Sequence, residues 1–145
     1  MKVRLLLADS AEVREGLVFL LGGGWTEIGP QPQPFALAGI VEVEWDETNR
    51  PRRLEITIED EDGRPLNVAT PAGEQPFKID STFDVGRPPG LPGRSFNIPL
   101  AIMVAPLPWV AGRRYIVKVA IDGETMDQVA FSVRPQPPQT QPPQR

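Results

Sequence analysis

Residues 52–60, Arg-Arg-Leu-Glu-Ile-Thr-Ile-Glu-Asp, put Leu54, Ile56 and Ile58 on one face and Arg53, Glu55, Thr57 and Glu59 on the other. A period of two, apolar against charged, is how a strand reads when one side covers a core and the other meets water. The same reading extends outward in both directions. Upstream, Val41, Val43 and Trp45 alternate with Glu42 and Glu44, which predicts a strand with Trp45 on its core face. Downstream, Tyr115, Val117, Val119 and Ile121 repeat the pattern, Asp122-Gly123 turns the chain, and Val129, Phe131 and Val133 return on one face. That combination predicts a hairpin. Asp62-Gly63 predicts another, between the strand ending near Asp60 and a shorter one around Leu66 to Ala69.

At the front, Val3, Leu5 and Leu7 are core-facing candidates with Lys2 and Arg4 outside, and Glu15-Gly16 turns the chain into Leu17-Val-Phe-Leu-Leu21. Ser10 to Arg14 is expected to form one helical turn capped by Ser10. From Ile98 to Val104, Ile98, Leu100, Ile102 and Val104 share one face, Ala101 and Met103 occupy the other, and Pro99 removes a ladder donor. Such a segment is either a strand covered on both sides or an exposed edge. These segments amount to about seven to nine strands with frequent turn signals and no amphipathic helix between them, which is the layout of an all-β, two-sheet antiparallel β-sandwich, immunoglobulin-like or similar.

The chain has 145 residues, about one domain, and its 13 Gly and 18 Pro exceed a fifth of it, in keeping with many turns. The domain is expected over 1–134. Residues 135–145 hold five Pro and four Gln and no large apolar side chain, so they are expected to be a disordered tail. There is no His and no Cys. Catalytic His dyads and triads, Cys nucleophiles, Cys/His zinc sites and disulfides are thereby excluded, and neither an enzyme nor a cofactor is expected.

Fifteen basic against 19 acidic residues give a formal charge of −4, which argues against nucleic acid as a partner. The nearest basic cluster, Arg50, Arg52 and Arg53, is flanked by Glu47 and Glu55. Asp9, Glu12, Arg14 and Glu15 interrupt the first apolar run, and Leu17 to Leu21 is far shorter than the ~20 residues of a membrane helix. A cytoplasmic protein that does not engage membranes is the expectation.

Leu6-Leu-Ala-Asp9, Val13-Arg-Glu-Gly16 and Leu20-Leu-Gly-Gly-Gly-Trp25 together resemble the opening of a family of small, mostly bacterial proteins of uncharacterised function. Asp60-Glu-Asp-Gly63, Pro99-Leu100 and the stretch 115–123 fall where that family places its hairpins, so the resemblance covers nearly everything before the tail. It implies a β-sandwich and brings no catalytic or binding residues.

Five constellations invite functional readings. Gly22-Gly23-Gly24 has the composition of a phosphate loop, but Trp25 follows directly and no Lys-Ser/Thr pair does, so a strand exit is expected. Glu59-Asp60-Glu61-Asp62-Gly63 is rich in carboxylates without the spacing of a Ca²⁺ loop, and no metal is expected there. Trp25 and Trp109 both follow turn-prone residues and are candidates for an exposed, sugar-stacking platform. Arg87-Pro-Pro-Gly-Leu-Pro-Gly-Arg94 reads as a stiff crossover. The apolar strips at Leu17–Leu21 and Ile98–Val104 offer a surface for a protein partner or a second copy of this chain. The expected function is therefore a non-catalytic protein-interaction or structural module, with Trp25, Met103 and Trp109 as its candidate surface. The alternative is a small-ligand or carbohydrate-binding domain built on Trp25 or Trp109.

Overall fold

The computed structural model describes residues 1–90, 92–138 and 142–143. Their regular structure is all-β apart from one 3-10 turn at Trp45–Glu47. The first strands are β1 (Lys2–Ala8), β2 (Ser10–Arg14), β3 (Leu17–Leu21), β4 (Glu27–Ile28) and β5 (Phe35–Val43). After them come β6 (Arg52–Asp60), β7 (Asn67–Thr70), β8 (Gly73–Pro76), β9 (Lys78–Phe83), β10 (Phe96–Val104), β11 (Arg114–Ile121) and β12 (Glu124–Val133). They form a three-stranded sheet in the order β1-β5-β10, a five-stranded sheet in the order β4-β12-β11-β6-β9, and two hairpins, β2-β3 and β7-β8.

One core draws on both large sheets. Leu54, Ile56 and Ile58 of β6, Val117 and Val119 of β11 and Phe131 of β12 meet Leu5 and Leu7 of β1 and Leu37 and Val43 of β5 in a single buried cluster. The alternation in the sequence is thus what aims these side chains inward, and each fully buried one contributes about 1.5–3 kcal/mol relative to exposure. A hydrogen bond from the Leu5 N–H to Asp127 Oδ2 (2.8 Å) ties β1 to β12 across the sheets. Asp122 (φ 50°) and Gly123 (φ 82°) close the β11–β12 hairpin, and Glu15 (φ 50°) and Gly16 (φ 74°) close β2–β3; two successive positive φ values are what a two-residue hairpin turn demands.

Several expectations need correction. Twelve strands are present among the described residues rather than seven to nine. The additional ones are short or weakly patterned: Gly73–Pro76 has no apolar side, and Lys78–Phe83 carries only Ile79 and Phe83. Ser10–Arg14 is not a helical turn but β2, because pairing with Leu17–Leu21 satisfies its backbone in a way a single unsupported turn cannot. Trp45 does not lie on a strand face. The strand stops at Val43 and Trp45 opens the 3-10 turn, half-buried, with the Arg87 guanidinium 5.1 Å from its ring centroid. The chain does reverse at Asp62-Gly63, where Glu59 bridges Pro65, but residues 67–70 then leave β6 and pair with β8. Ile98–Val104 lies in β10, an edge strand. Residues 135–138 and 142–143 are exposed and carry no strand or helix; the other five positions expected in the tail, and position 91 of the crossover, lie outside the described residues.

The β2–β3 hairpin lies against β5 and β10. Beneath this extra layer Ala8, Ala36 and Ala38 are fully buried, and their methyl groups are small enough to let it approach. Gly39 in the middle of β5 is packed more tightly still, since a Cβ there would run into the carbonyl oxygen of Arg4 and the Cα of Leu5 on β1.

Candidate functional site

Pairing within the hairpin divides its side chains cleanly. Ala11 faces Leu20 and Val13 faces Val18 on one side; Ser10 faces Leu21, Glu12 faces Phe19 and Arg14 faces Leu17 on the other. Ala11, Val18 and Leu20 are half-buried, whereas Leu17, Phe19 and Leu21 are 61%, 50% and 72% exposed. Glu12 and Arg14, 3.0 Å apart, neutralise each other beside this row. Met103 on β10, itself 52% exposed, extends the apolar surface past the Leu21 end, where Ser10, Glu12, Phe19, Leu21 and Met103 help line a depression of about 410 Å³. Leu6 and Val13 are exposed as well. Among the described residues only one large exposed hydrophobic, Val110, is not on β1, this hairpin or β10.

The structure places the three residues singled out from sequence in two different settings. Met103 belongs to the surface just described. Trp109 is only 7% exposed, and Trp25 is half-buried; the expectation that their ring faces are free for stacking is corrected. Both are consumed by an aromatic cluster. Trp25 meets Phe131 edge-on at 5.6 Å and Phe35 at 6.0 Å, and Trp109 lies 5.1 Å from Phe131 and 5.5 Å from Tyr115. The Tyr115 hydroxyl accepts the Val110 N–H at 2.9 Å and so fixes the turn that delivers Trp109. Following a turn-prone residue is a poor signal of exposure, because Trp25 packs on Phe131, more than a hundred residues later, and Trp109 on Phe35, more than seventy earlier.

The glycine run is a strand exit. Asp9 N–H donates to the carbonyls of Leu21 and Gly22, Gly24 N–H donates to Leu7 O at 2.7 Å, and Gly22 and Gly24 have φ of 59° and 88°. Gly22 needs to lack a side chain, since a Cβ would collide with the Asp9 carboxylate. Two of the three clustered arginines are tied up in ion pairs: Arg52 reaches Asp122 at 3.1 Å, and Arg53 reaches Asp80 at 2.6 Å and Glu55 at 3.0 Å, while Arg50 donates to the Asp46 carbonyl at 2.9 Å.

In the acidic run, Asp60 Oδ1 accepts the N–H groups of Asp62 and Arg64, each at 2.9 Å, and Oδ2 accepts Arg113 at 3.1 Å. These bonds shape the reversal, and the Arg64 N–H is the leading cause that holds the Asp60 carboxyl below its ordinary range. Asp122 is lowered chiefly by the Arg53 N–H and Asp80 by the Arg53 guanidinium. A carboxyl with a folded pKa depressed below its unfolded value stabilises the fold above the unfolded value of ~3.9, and that contribution is lost as pH falls through the folded value. Thermal melts should therefore show a steady Tm at neutral pH and a decline below about pH 4. Asp60→Asn should lower the neutral-pH Tm and flatten the acid decline; an unchanged acid profile would contradict the assignment.

The structure thus defines an all-β protein in which, among the described residues, five of the seven large exposed hydrophobics lie on one added layer and the edge strand beneath it. The chain belongs to a family of unknown function, DUF6941, whose family model matches residues 4–134 and so takes in both large sheets and the hairpin layer. It matches none of the curated proteins and none of the solved structures. Among the described residues no helix is long and apolar enough to cross a membrane.

Proposed function

We propose that the protein is a non-catalytic interaction module, a two-sheet sandwich of immunoglobulin-like type, antiparallel apart from the β4–β12 pair, that docks a protein through the outer face of the β2–β3 hairpin. The observation that carries this reading is the row Leu17, Phe19 and Leu21, each at least half exposed on a layer with no strand above it among the described residues. Contiguous apolar surface of this kind on a monomer is a liability unless something covers it. The shared core of the two sheets supports the sandwich reading, as does the Tyr115 hydroxyl bonded back to the backbone five residues upstream, a device found in immunoglobulin-like domains.

A second copy of the chain suits this face. The outward row reads Leu-Phe-Leu in either direction about Phe19, so a two-fold axis there sets Phe19 against Phe19 and Leu17 against Leu21 with no charge in the row. The test is light scattering on the wild type and on Phe19→Asp and Met103→Asp. A wild-type dimer that becomes a folded monomer in both variants, with the far-UV circular dichroism spectrum unchanged, is the expected outcome. A wild type that is monomeric at high concentration, and whose pull-down partners are retained equally by Phe19→Asp, would overturn the proposal.

A further inference from the structure

The two large sheets differ by two strands, one at each end of the larger: β4 lies beyond β12 and β9 beyond β6. At one side they come together: β1 contacts β12, and Asp127 bonds the β1 backbone. At the other, the edge strands β10 and β9 have no partner beyond β5 and β6, and the sheets stand apart over an apolar cavity of about 420 Å³. Ile79, Ser81 and Phe83 of β9 form one wall and Ile98, Leu100 and Ile102 of β10 the other, with Val41 and Leu54 as the floor. This volume lies in the range of small-molecule sites. Its chemistry is narrow, because no lining residue is ionisable and Ser81 is the only one with a polar side chain.

An added peptide strand is a poor occupant. Inside the cavity it would bring an amide per residue against walls whose side chains supply one hydroxyl, and buried amides without partners are costly. Pro99, within the continuous β5–β10 ladder, has no N–H to offer, and a proline so placed turns its nitrogen to the free edge, where an incoming strand would need a donor. A hydrocarbon chain requires neither. We propose that this gap is a binding site for one linear acyl chain, that of a free fatty acid, with its carboxylate in water at the mouth.

The test uses the full chain with dodecanoate below its micelle concentration, read by methyl NMR and by Tm. Saturable one-to-one shifts at the methyls of Ile79, Ile98 and Ile102, silence at Leu17 and Leu21, and a Tm that rises with ligand are expected. Ser81→Phe, which fills the gap, should weaken binding at least tenfold, while Leu17→Asp on the hairpin should leave it unchanged. Absence of saturation, responses confined to Leu17 and Leu21, undiminished binding by Ser81→Phe, or tighter binding of an extended valine-rich peptide at the same methyls would each overturn the proposal. Should Ser81→Phe fail to fold, the wild-type methyl map decides alone. None of these readouts depends on the hairpin face, so the two proposals stand or fall separately.

Discussion

Replacement of Phe131 by Ala is expected to cost about 3–5 kcal/mol of stability, the usual toll for emptying a large buried aromatic position. Phe131 is almost fully buried and lies within 6 Å of Trp25, Trp109 and Tyr115 at once, so its loss leaves a void bounded by rings from three other segments. Those rings are rigid and cannot collapse into the space. In a chain of this size the Tm should fall by roughly 10 °C or more, and the tryptophan emission of the folded state should shift red as water reaches the indoles. Val110→Ala is the control, since an exposed side chain away from the hairpin face should change stability by no more than about 0.5 kcal/mol. Urea unfolding that places Phe131→Ala within 1 kcal/mol of wild type would contradict the packing described above.

Gly39→Ala should be nearly as damaging for the opposite reason. Gly39 pairs with Leu5 on one side and Leu100 on the other, in the central strand of the three-stranded sheet. The added methyl meets the Arg4 carbonyl, and backbone cannot rotate away as a side chain would, so β1 must separate from β5. Overpacking commonly costs 1–3 kcal/mol, and here about 3 kcal/mol or more is expected. Gly86→Ala, where nothing lies within 4 Å and φ is not positive, should be close to neutral. Equal urea midpoints for the two variants would show that the strands have more room than the structure allows.

What the sequence discloses and what it conceals follow from the range of the interactions. β6, β11 and β12 are legible because alternation is a local property, and Asp122-Gly123 and Glu15-Gly16 announce their turns by the residues that tolerate positive φ. β7 is legible from the Asp62-Gly63 turn before it, though its partner is not; β8 and β9 are nearly silent, for they are hairpin or edge strands with few apolar side chains. Of the site, Met103 and the Leu17–Leu21 strip can be found from apolar residues on both faces of a strand. The fates of Trp25 and Trp109 cannot, because Phe35 and Phe131 converge on them from distant strands. The gap between β9 and β10 is hidden for a similar reason: it lies between the free edges of two different sheets, a property that belongs to no single segment.

The connectivity also governs how the chain reaches this state. β1 waits for β5, β5 for β10, and β4 finds its parallel partner only when Ser132 and Val133 of β12 come to lie beside Glu27 and Ile28, more than a hundred residues later. Pairings so far apart make loop closure expensive and folding slow, typically milliseconds to seconds. Three hairpins, β7–β8, β11–β12 and β2–β3, have two-residue connections and can pair at once, and β2–β3 is the first of them to be made. During synthesis that hairpin is complete while β5 and β10 are still missing, with Val18 and Leu20 as uncovered as Leu17 and Phe19. It is then a greasy two-sided ribbon in the nascent chain, and crowded expression or slowed elongation after residue 21 should favour its capture by neighbouring chains or chaperones.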